Sequence, residues 1–363
     1  MTDFGAFTFL AHTIPGLEHI AWREIQRRLG NASLIGYRRV GQRNGLVLFQ
    51  YRDPSAQLLQ LKSTEDLFHL AAYQKDTSAD RRGLQQIESL IRGSKYLDVG
   101  LRIDREMHRG RARRHPTFRV IARKEGTHAY RRVDAQRAVQ RGILKRYNYK
   151  WRLAEDAADL EIWFTLLDNE AFFGLRLSDH SMRHRDYKVQ HLPASLRPTL
   201  AYAMVFLCDP QPEDVFLDPM CGAGTILIER AEASRHRLLL GGDINPQAIG
   251  TTRRNIDPKY KPIQIIQWDA TAIPLDDHSI DKVVSNLPFG AQVGTHAENI
   301  VLYPAFFQEI KRVLRPGGRM VVLSGEQQLV PQIIQQNEDL NLDETFDIVV
   351  LGKPATIYVL DRA

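Results

Sequence analysis

The residues Asn286-Leu287-Pro288-Phe289-Gly290 end a strand-like stretch, Asp281-Lys282-Val283-Val284-Ser285. Their types suit reaction at a planar exocyclic amine. Such a nitrogen is a poor nucleophile because its lone pair is delocalised into the ring. The Asn286 side-chain oxygen and the Leu287 carbonyl can each accept one N–H, which orients the nitrogen and favours pyramidal character as it attacks. Pro288 fixes its own φ and biases Leu287 to extended geometry. Phe289 offers a stacking face, and Gly290 lets the chain turn away. Taken alone, Asn-x-Pro at a strand end is an ordinary turn. What precedes it gives it weight.

An earlier strand ends in Asp218-Pro219-Met220-Cys221-Gly222-Ala223-Gly224-Thr225. Two glycines one residue apart allow a tight strand-to-helix turn and let a ligand approach the main chain. Asp218 suits an ammonium group, where a pyrophosphate would want amides and no carboxylate. The next strand ends in Gly241-Gly242-Asp243-Ile244, whose acid can accept from both hydroxyls of a ribose. A third ends in Trp268-Asp269-Ala270, where Asp269 can accept from an adenine amino group. Each Asp singly is equally a helix N-cap or turn residue. Together they fit a ligand with an amino group, a ribose and an adenine, which describes S-adenosylmethionine. The reaction is then an in-line displacement at a sulfonium methyl, with positioning supplying most of the catalysis. A base inside a duplex cannot reach such a pocket, so the target must be flipped out or unpaired.

These turns need one sheet to hold them. The pattern predicts strands Val215–Asp218, Leu238–Asp243, Ile263–Asp269, Ile280–Asn286 and Arg319–Ser324, interleaved with helices Thr225–Ala233, Pro246–Asn255 and Tyr303–Leu314. Such alternation means an α/β, doubly wound parallel sheet. Arg315-Pro316-Gly317-Gly318 is a stop-and-turn signal. Phe346–Leu351 and Thr356–Leu360, joined by a short Gly-Lys-Pro turn, imply an antiparallel terminal hairpin. Upstream, strands Phe7–Ile14, Gly45–Phe49 and Leu67–Tyr73, with helices through Ile20–Leu29 and Ala56–Leu61, form a small β-α-β unit. A second unit follows, with helices Leu84–Ile91 and Val133–Tyr147. Its strands are Val99–Ile103, Phe118–Ala122, Leu160–Leu167 and Ala171–Leu177. The polar stretch Ser178–Arg197 reads as a linker.

Composition bounds the rest. Of 363 residues, 43% are hydrophobic and 25% charged, enough for more than one core. No apolar run is long enough to span a bilayer, and the N-terminus lacks the features of a secretory signal. The two cysteines suggest neither a disulfide framework nor a metal site. Residues 1–190 carry 34 Lys/Arg against 22 Asp/Glu, and residues 191–363 carry 15 against 21. The basic half points to a polyanionic partner, most densely over 102–152, where 17 basic residues face 4 acidic ones. A solvated basic face or a membrane surface are the other readings of such charge. The arginines lie in strand-like stretches and not on one amphipathic helix, which argues against the membrane.

The Asp218–Thr225 and Asn286–Gly290 motifs resemble the Rossmann-fold methyltransferases that modify exocyclic amines. Pro15-Gly16-Leu17-Glu18, Phe118-Arg119-Val120 and Phe172-Phe173-Gly174-Leu175 make the N-terminal part similar to THUMP-containing RNA enzymes. The chain resembles the tRNA guanine-N2 methyltransferases called TrmN in bacteria. That resemblance implies a ferredoxin-like domain (1–75), a THUMP domain (76–178), a linker (179–197) and a Rossmann-like methyltransferase domain (198–363). It implies tRNA as partner and N2-methylguanosine at position 6 of the acceptor stem as product. Leu302-Tyr303-Pro304 fits the group. So does His191-Leu192-Pro193-Ala194-Ser195-Leu196-Arg197-Pro198, which in such enzymes lies over the cofactor. The expected site is therefore Asn286, Leu287, Pro288 and Phe289 for catalysis. For the cofactor it is His191, Ala194, Ser195, Leu196, Asp218, Met220, Cys221, Gly222, Ala223, Gly224, Thr225, Asp243, Ile244, Asp269 and Ala270, with Asn286. THUMP is implied to grip the 3′ end of tRNA, with Arg119, Arg123, Lys124, Arg131 and Arg132 as basic candidates, each equally readable as surface charge. Many relatives have Pro at Leu287 and Tyr at Phe289. Neither departure removes the acceptors or the stacking face. We expect a monomeric cytoplasmic enzyme needing no metal or membrane. The alternatives are a guanine of rRNA or elsewhere in tRNA, or a non-catalytic THUMP RNA-binding protein. A nicotinamide enzyme would leave Asn286–Gly290 unexplained, and Leu227 stands where its third glycine is expected. A thiouridine synthetase would need an ATP loop that is absent.

Overall fold

The computed structural model describes residues 4–54, 56–108, 115–190, 192, 195–289 and 294–363. They form two compact units. One comprises Met1–Thr13 and Ala21–Met182, the other Ile14–Ile20 and Arg183–Ala363.

The first unit is built from β1 (Thr8–Thr13), α1 (Glu18–Leu29, from Ala21 on), β2 (Ser33–Val40), β3 (Asn44–Gln50), β4 (Asp66–Gln74), α2 (Arg82–Arg92), α3 (Leu97–His108), β5 (Thr117–Glu125), α4 (Arg132–Arg146), β6 (Arg152–Leu153), β7 (Leu160–Leu167) and β8 (Glu170–Arg176). One sheet runs β2-β3-β1-β4-β8-β7-β5-β6. Its pairs are antiparallel except those that β5 makes with β7 and β6. Apolar side chains of β1 and β3 pack on Ala21, Ile25 and Leu29 of α1. Those of β5, β7 and β8 pack on Ile87 and Ile91 of α2 and Ala135, Val139 and Ile143 of α4.

Several elements differ from the pattern reading. Val99–Ile103, expected as a strand, lies within α3. Leu97, Gly100, Ile103 and Met107 bury one stripe at helical spacing, and a short apolar run does not distinguish the two periods. Ala56–Gln60 is a 3₁₀ turn instead of an amphipathic helix. β2 was not anticipated. It is an edge strand, Ser33-Leu34-Ile35-Gly36-Tyr37-Arg38-Arg39-Val40, without clean apolar/polar alternation, paired to β3 alone with a register shift after Leu34. Its Arg38 Nε donates to Glu170 at 2.7 Å.

The second unit contains α5 (Pro198–Leu207), β9 (Val215–Asp218), α6 (Thr225–Ala233), β10 (Leu238–Asp243), α7 (Pro246–Asn255), β11 (Ile263–Gln267), β12 (Ile280–Asn286), α8 (His296–Val313), β13 (Leu314–Ser324), α9 (Leu329–Gln335), β14 (Leu340–Val350) and β15 (Lys353–Arg362). The strand order is β11-β10-β9-β12-β13-β15-β14. The first five are parallel and the last two form the antiparallel hairpin. α5 is buried at every position but Phe206. It is apolar all round and so leaves no amphipathic period to read. Arg315–Gly318 does not separate α8 from a later strand. It lies inside β13, where the pairing with β12 jumps from Ile280↔Leu314 to Lys282↔Arg319. Ile14, Leu17 and Ile20 belong to this unit's core, with Leu200, Met204, Ile348 and Ile357. The Val349 amide donates to the Pro15 carbonyl at 3.1 Å.

Candidate active site

Parallel pairing sets the site. β10 pairs Gly241 with Asp218 of β9, β12 pairs Val283 with Leu217, and β13 pairs Leu323 with Asn286. Asp218, Asp243 and Asn286 therefore end neighbouring strands at one carboxyl edge. The strand order reverses between β9 and β12, the crevice where open α/β sheets take ligands.

The glycine turn is held from several sides. Gly222 and Gly224 have φ of 53° and 80°, left-handed values that favour glycine. The Cys221 amide donates to the Gly242 carbonyl at 2.8 Å, and the Gly222 amide to Asp243 Oδ2 at 3.0 Å. Two residues of α7 hold the turn's carbonyls: Thr252 Oγ1 donates to Gly222 at 2.6 Å and Asn255 Nδ2 to Ala223 at 3.0 Å. Thr225, Cys221 and Ala223 are buried. Gly242 is required by a close approach, because a Cβ there would lie 1.8 Å from the Trp268 ring. The indole Nε1 donates to the Pro219 carbonyl at 3.2 Å. Neither α7 residue carries a motif, and Trp268 has meaning only once Gly242 lies beneath it.

The three acids differ: Asp218 and Asp243 end their strands, whereas β11 stops at Gln267 and Asp269 lies two residues beyond it. Asp218 is buried, and among the described residues its Oδ1 meets only the Met220 amide at 3.4 Å and the Ser285 hydroxyl at 3.5 Å. Burial pushes its carboxyl well above the usual range, with Asp243 adding to the shift. A buried acid with two long, weak donors is suited to a cation. Asp243 accepts from the Gly222 and Asn245 amides, one on each oxygen, and a carboxylate has further lone pairs to offer. Ile244 beside it is 67% exposed, a large apolar side chain left open at the crevice. Asp269 is exposed, and its Oδ1 closes a turn on the Thr271 amide and hydroxyl at 2.8 and 2.7 Å. Ala270 is buried.

The Asn286–Phe289 loop is clamped. Asn286 Oδ1 is buried and has no hydrogen-bond partner among the described residues. An unmet buried acceptor costs about 1–3 kcal/mol, the mark of a group awaiting a ligand donor. Leu287 is fully buried, and its amide donates to Leu323 at 3.0 Å. The Pro288 carbonyl receives Asn299 Nδ2 at 2.9 Å and the Tyr303 hydroxyl at 2.7 Å, both from α8. Tyr303 also meets Ser324 Oγ at 3.0 Å, and burial raises its pKa. A capping box starts α8, with the Thr295 hydroxyl accepting from the Glu298 amide and Glu298 Oε2 from the Thr295 amide. Phe289 is half-buried with its ring on Gly325. Asn299, Ser324 and Glu326 escaped the sequence reading, because only the fold brings them to the loop.

The stretch before α5 is tied to the same elements. The Tyr187 hydroxyl donates to Glu229 of α6 at 2.6 Å, and the Gln190 amide to Asn255 Oδ1 at 2.8 Å. Lys188 Nζ donates to the Leu196 carbonyl at 2.8 Å, and burial brings its pKa down to about 8. Leu196 enters the core, and the Ser195 hydroxyl is buried with no partner among the described residues. His191 and Ala194 lie outside the described residues.

The basic candidates belong to the first unit. Arg119 donates to Glu161 at 2.6 Å, and Arg123 lies 4.4 Å over the Trp163 ring. Lys124 donates to the Gly126 carbonyl at 2.9 Å, and Arg132 to Gln136 at 3.3 Å. Arg131, 80% exposed, sits 3.5 Å from Asp134. Among the described residues, no helix is long and apolar enough to cross a membrane.

Fold and site together define a Rossmann-like methyltransferase domain preceded by a separate α/β unit. Residues 185–348 match the family model described as RMKL-like, methyltransferase domain. The bovine (Bos taurus) tRNA (guanine(6)-N(2))-methyltransferase THUMP3 is 34% identical over 262 residues, 68% of this chain and 51% of that protein. The bovine U6 snRNA (guanine-N(2))-methyltransferase THUMPD2 is 28% identical over 285 residues, 76% of this chain and 54% of that one. TrmN from Thermus thermophilus shares the fold, with a TM-score of 0.79 at 22% identity over 98% of this chain and 99% of that one. The chain spans about half the length of the two bovine relatives. Its likeness is to the THUMP-domain guanine-N2 methyltransferases, the TrmN-like group.

Proposed function

We propose that this chain methylates the N2 amine of a guanine in tRNA, at position 6 of the acceptor stem, with S-adenosylmethionine as cofactor. The observation that carries the reading is the buried Asn286 Oδ1, without a partner among the described residues, on the strand end beside Asp218 and the glycine turn. An amine N–H supplies the donor this acceptor lacks.

The residues present fit the cofactor. Asp218 is a buried acid in want of a cation, suited to the amino group. Asp243 has lone pairs left for ribose hydroxyls, and Ile244 offers an apolar surface to adenine. Asp269 retains Oδ2 for the adenine amino group. The turn Met220–Thr225 cradles the ligand, with Ala270 at its adenine end; His191, Ala194, Ser195 and Leu196 are assigned to the cofactor by the resemblance alone. When bound, the cofactor supplies an electrophilic methyl group on a sulfonium. Asn286 Oδ1 and the Leu287 carbonyl orient the amine. Phe289 stacks on the base, and the clamp on Pro288 holds both acceptors at a fixed angle.

We read the chain as the domains 1–75, 76–178 and 198–363 with a linker at 179–197. It acts as a cytoplasmic monomer, with Arg119, Arg123, Lys124, Arg131 and Arg132 on the RNA-facing side. The bovine relative named for tRNA supports that substrate, and the one named for U6 snRNA makes another guanine the closest competitor. Incubation with labelled cofactor and total tRNA, followed by nucleoside mapping by mass spectrometry, tests the reading. Label in N2-methylguanosine at position 6 is expected. Label in another nucleoside, or none, overturns it.

A further inference from the structure

The Asn286 and Leu287 acceptors recognise an amine and nothing else. Adenine and cytosine also carry exocyclic amines, so a group that reads the neighbouring ring atom must choose among the bases. Glu326 stands where such a group is needed. β13 ends at Ser324, and Gly325 lies against the Phe289 ring, which would be 3.0 Å from an added Cβ. Glu326 follows, with its side chain 12% exposed. Its Oε1 accepts from Asn299 Nδ2 at 2.9 Å, and the same Nδ2 donates to the Pro288 carbonyl at 2.9 Å. One amide nitrogen thus links the carboxylate to the loop. The two oxygens can be no more than about 6 Å apart, since both lie within hydrogen-bond reach of that nitrogen. Oε2 is 2.8 Å from His296 Nδ1, a ring 68% exposed. The Glu326 amide is fixed on Ser324 Oγ at 2.9 Å. A carboxylate offers about four lone-pair sites, and these contacts use two.

We infer that Glu326 selects guanine by accepting its N1–H. Guanine presents three donor hydrogens in a row, two on N2 and one on N1. Asn286 and Leu287 take the first two and the Glu326 carboxylate takes the third. Adenine and cytosine place a lone pair beside their amine, which a carboxylate repels. Asn299 and His296 are positioning residues that hold the carboxylate toward the base. The inference rests on the guanine-N2 reading above and adds the residue that sets base choice.

The test compares tRNA transcripts carrying guanine or 2-aminopurine at the mapped position. 2-Aminopurine keeps the N2 amine but has a lone pair at N1. The parent should prefer guanine in kcat/KM by roughly 10- to 100-fold, the range of one good base contact. Glu326→Gln should lose most of its guanine rate yet gain on 2-aminopurine, because a carboxamide N–H donates to that lone pair. Equal losses on both bases, or no change on either, would overturn the inference. A cofactor dissociation constant within about threefold of the parent shows that the variant is folded. Should it not fold, the parent alone decides, since equal kcat/KM on the two bases also overturns the inference. A parent that methylates neither RNA fails at the guanine-N2 reading and takes the inference with it.

Discussion

Asp218 and Asn286 share a property that sequence can only hint at, because each is a buried polar group left short of partners. Their types and strand-end positions were legible, since alternating strands and helices place such ends on one edge. The shortage itself became visible only with coordinates. It has a stability consequence. Burial holds the Asp218 carboxyl well above its usual range. An acid with a raised folded value supports the fold fully below its unfolded value, and that support is lost as pH rises toward the folded value. At neutral pH the ligand-free protein therefore carries a penalty that Asp218→Asn removes. We expect Asp218→Asn to raise Tm by about 2–4 °C at pH 7 without cofactor and to weaken cofactor binding at least tenfold. Thermal unfolding and calorimetric titration check the two halves, and a lower Tm with unchanged affinity would contradict both. Asp269 was less legible, because its Oδ1 serves the local turn that the plain alternative proposed.

Among the elements, those with a clean period were readable and those without were not. β9, β10 and β12 end where the pattern ends them, and α6 and α7 begin where expected. α5 hid because it is apolar on all sides, α3 because its short apolar run fits either period, and β2 because its apolar and polar residues do not alternate cleanly. The brackets between elements were invisible for another reason. Thr252 and Asn255 look like ordinary helix residues until α7 brings them to the glycine turn. Gly242 and Trp268 are a similar pair. Gly242→Ala must displace the indole that packs on β10. We expect a loss of about 1–3 kcal/mol, as for overpacked cores, with weaker cofactor binding. Denaturant unfolding measures the first, and a loss below about 0.5 kcal/mol would show that the ring moves freely.

For the whole molecule, the crossing of the chain did not show in the sequence. Ile14–Ile20 lies far upstream of residue 183 yet belongs to the second unit's core. Leu17 is fully buried there. Leu17→Ala should cost about 2–5 kcal/mol, and hydrogen exchange should accelerate in the β13–β15 strands while β5 and β7 keep their protection. Acceleration confined to the first unit would contradict the assignment. The same arrangement makes residues 183–363 an incomplete fold by themselves. The central claim reduces to one side chain. Asn286→Ala removes the buried side-chain acceptor and leaves Asp218, Asp243 and the glycine turn in place. Single-turnover methyl transfer should fall at least about a thousandfold, while the cofactor dissociation constant stays within about threefold. Transfer at the parent rate, with the cofactor bound as before, would contradict the account.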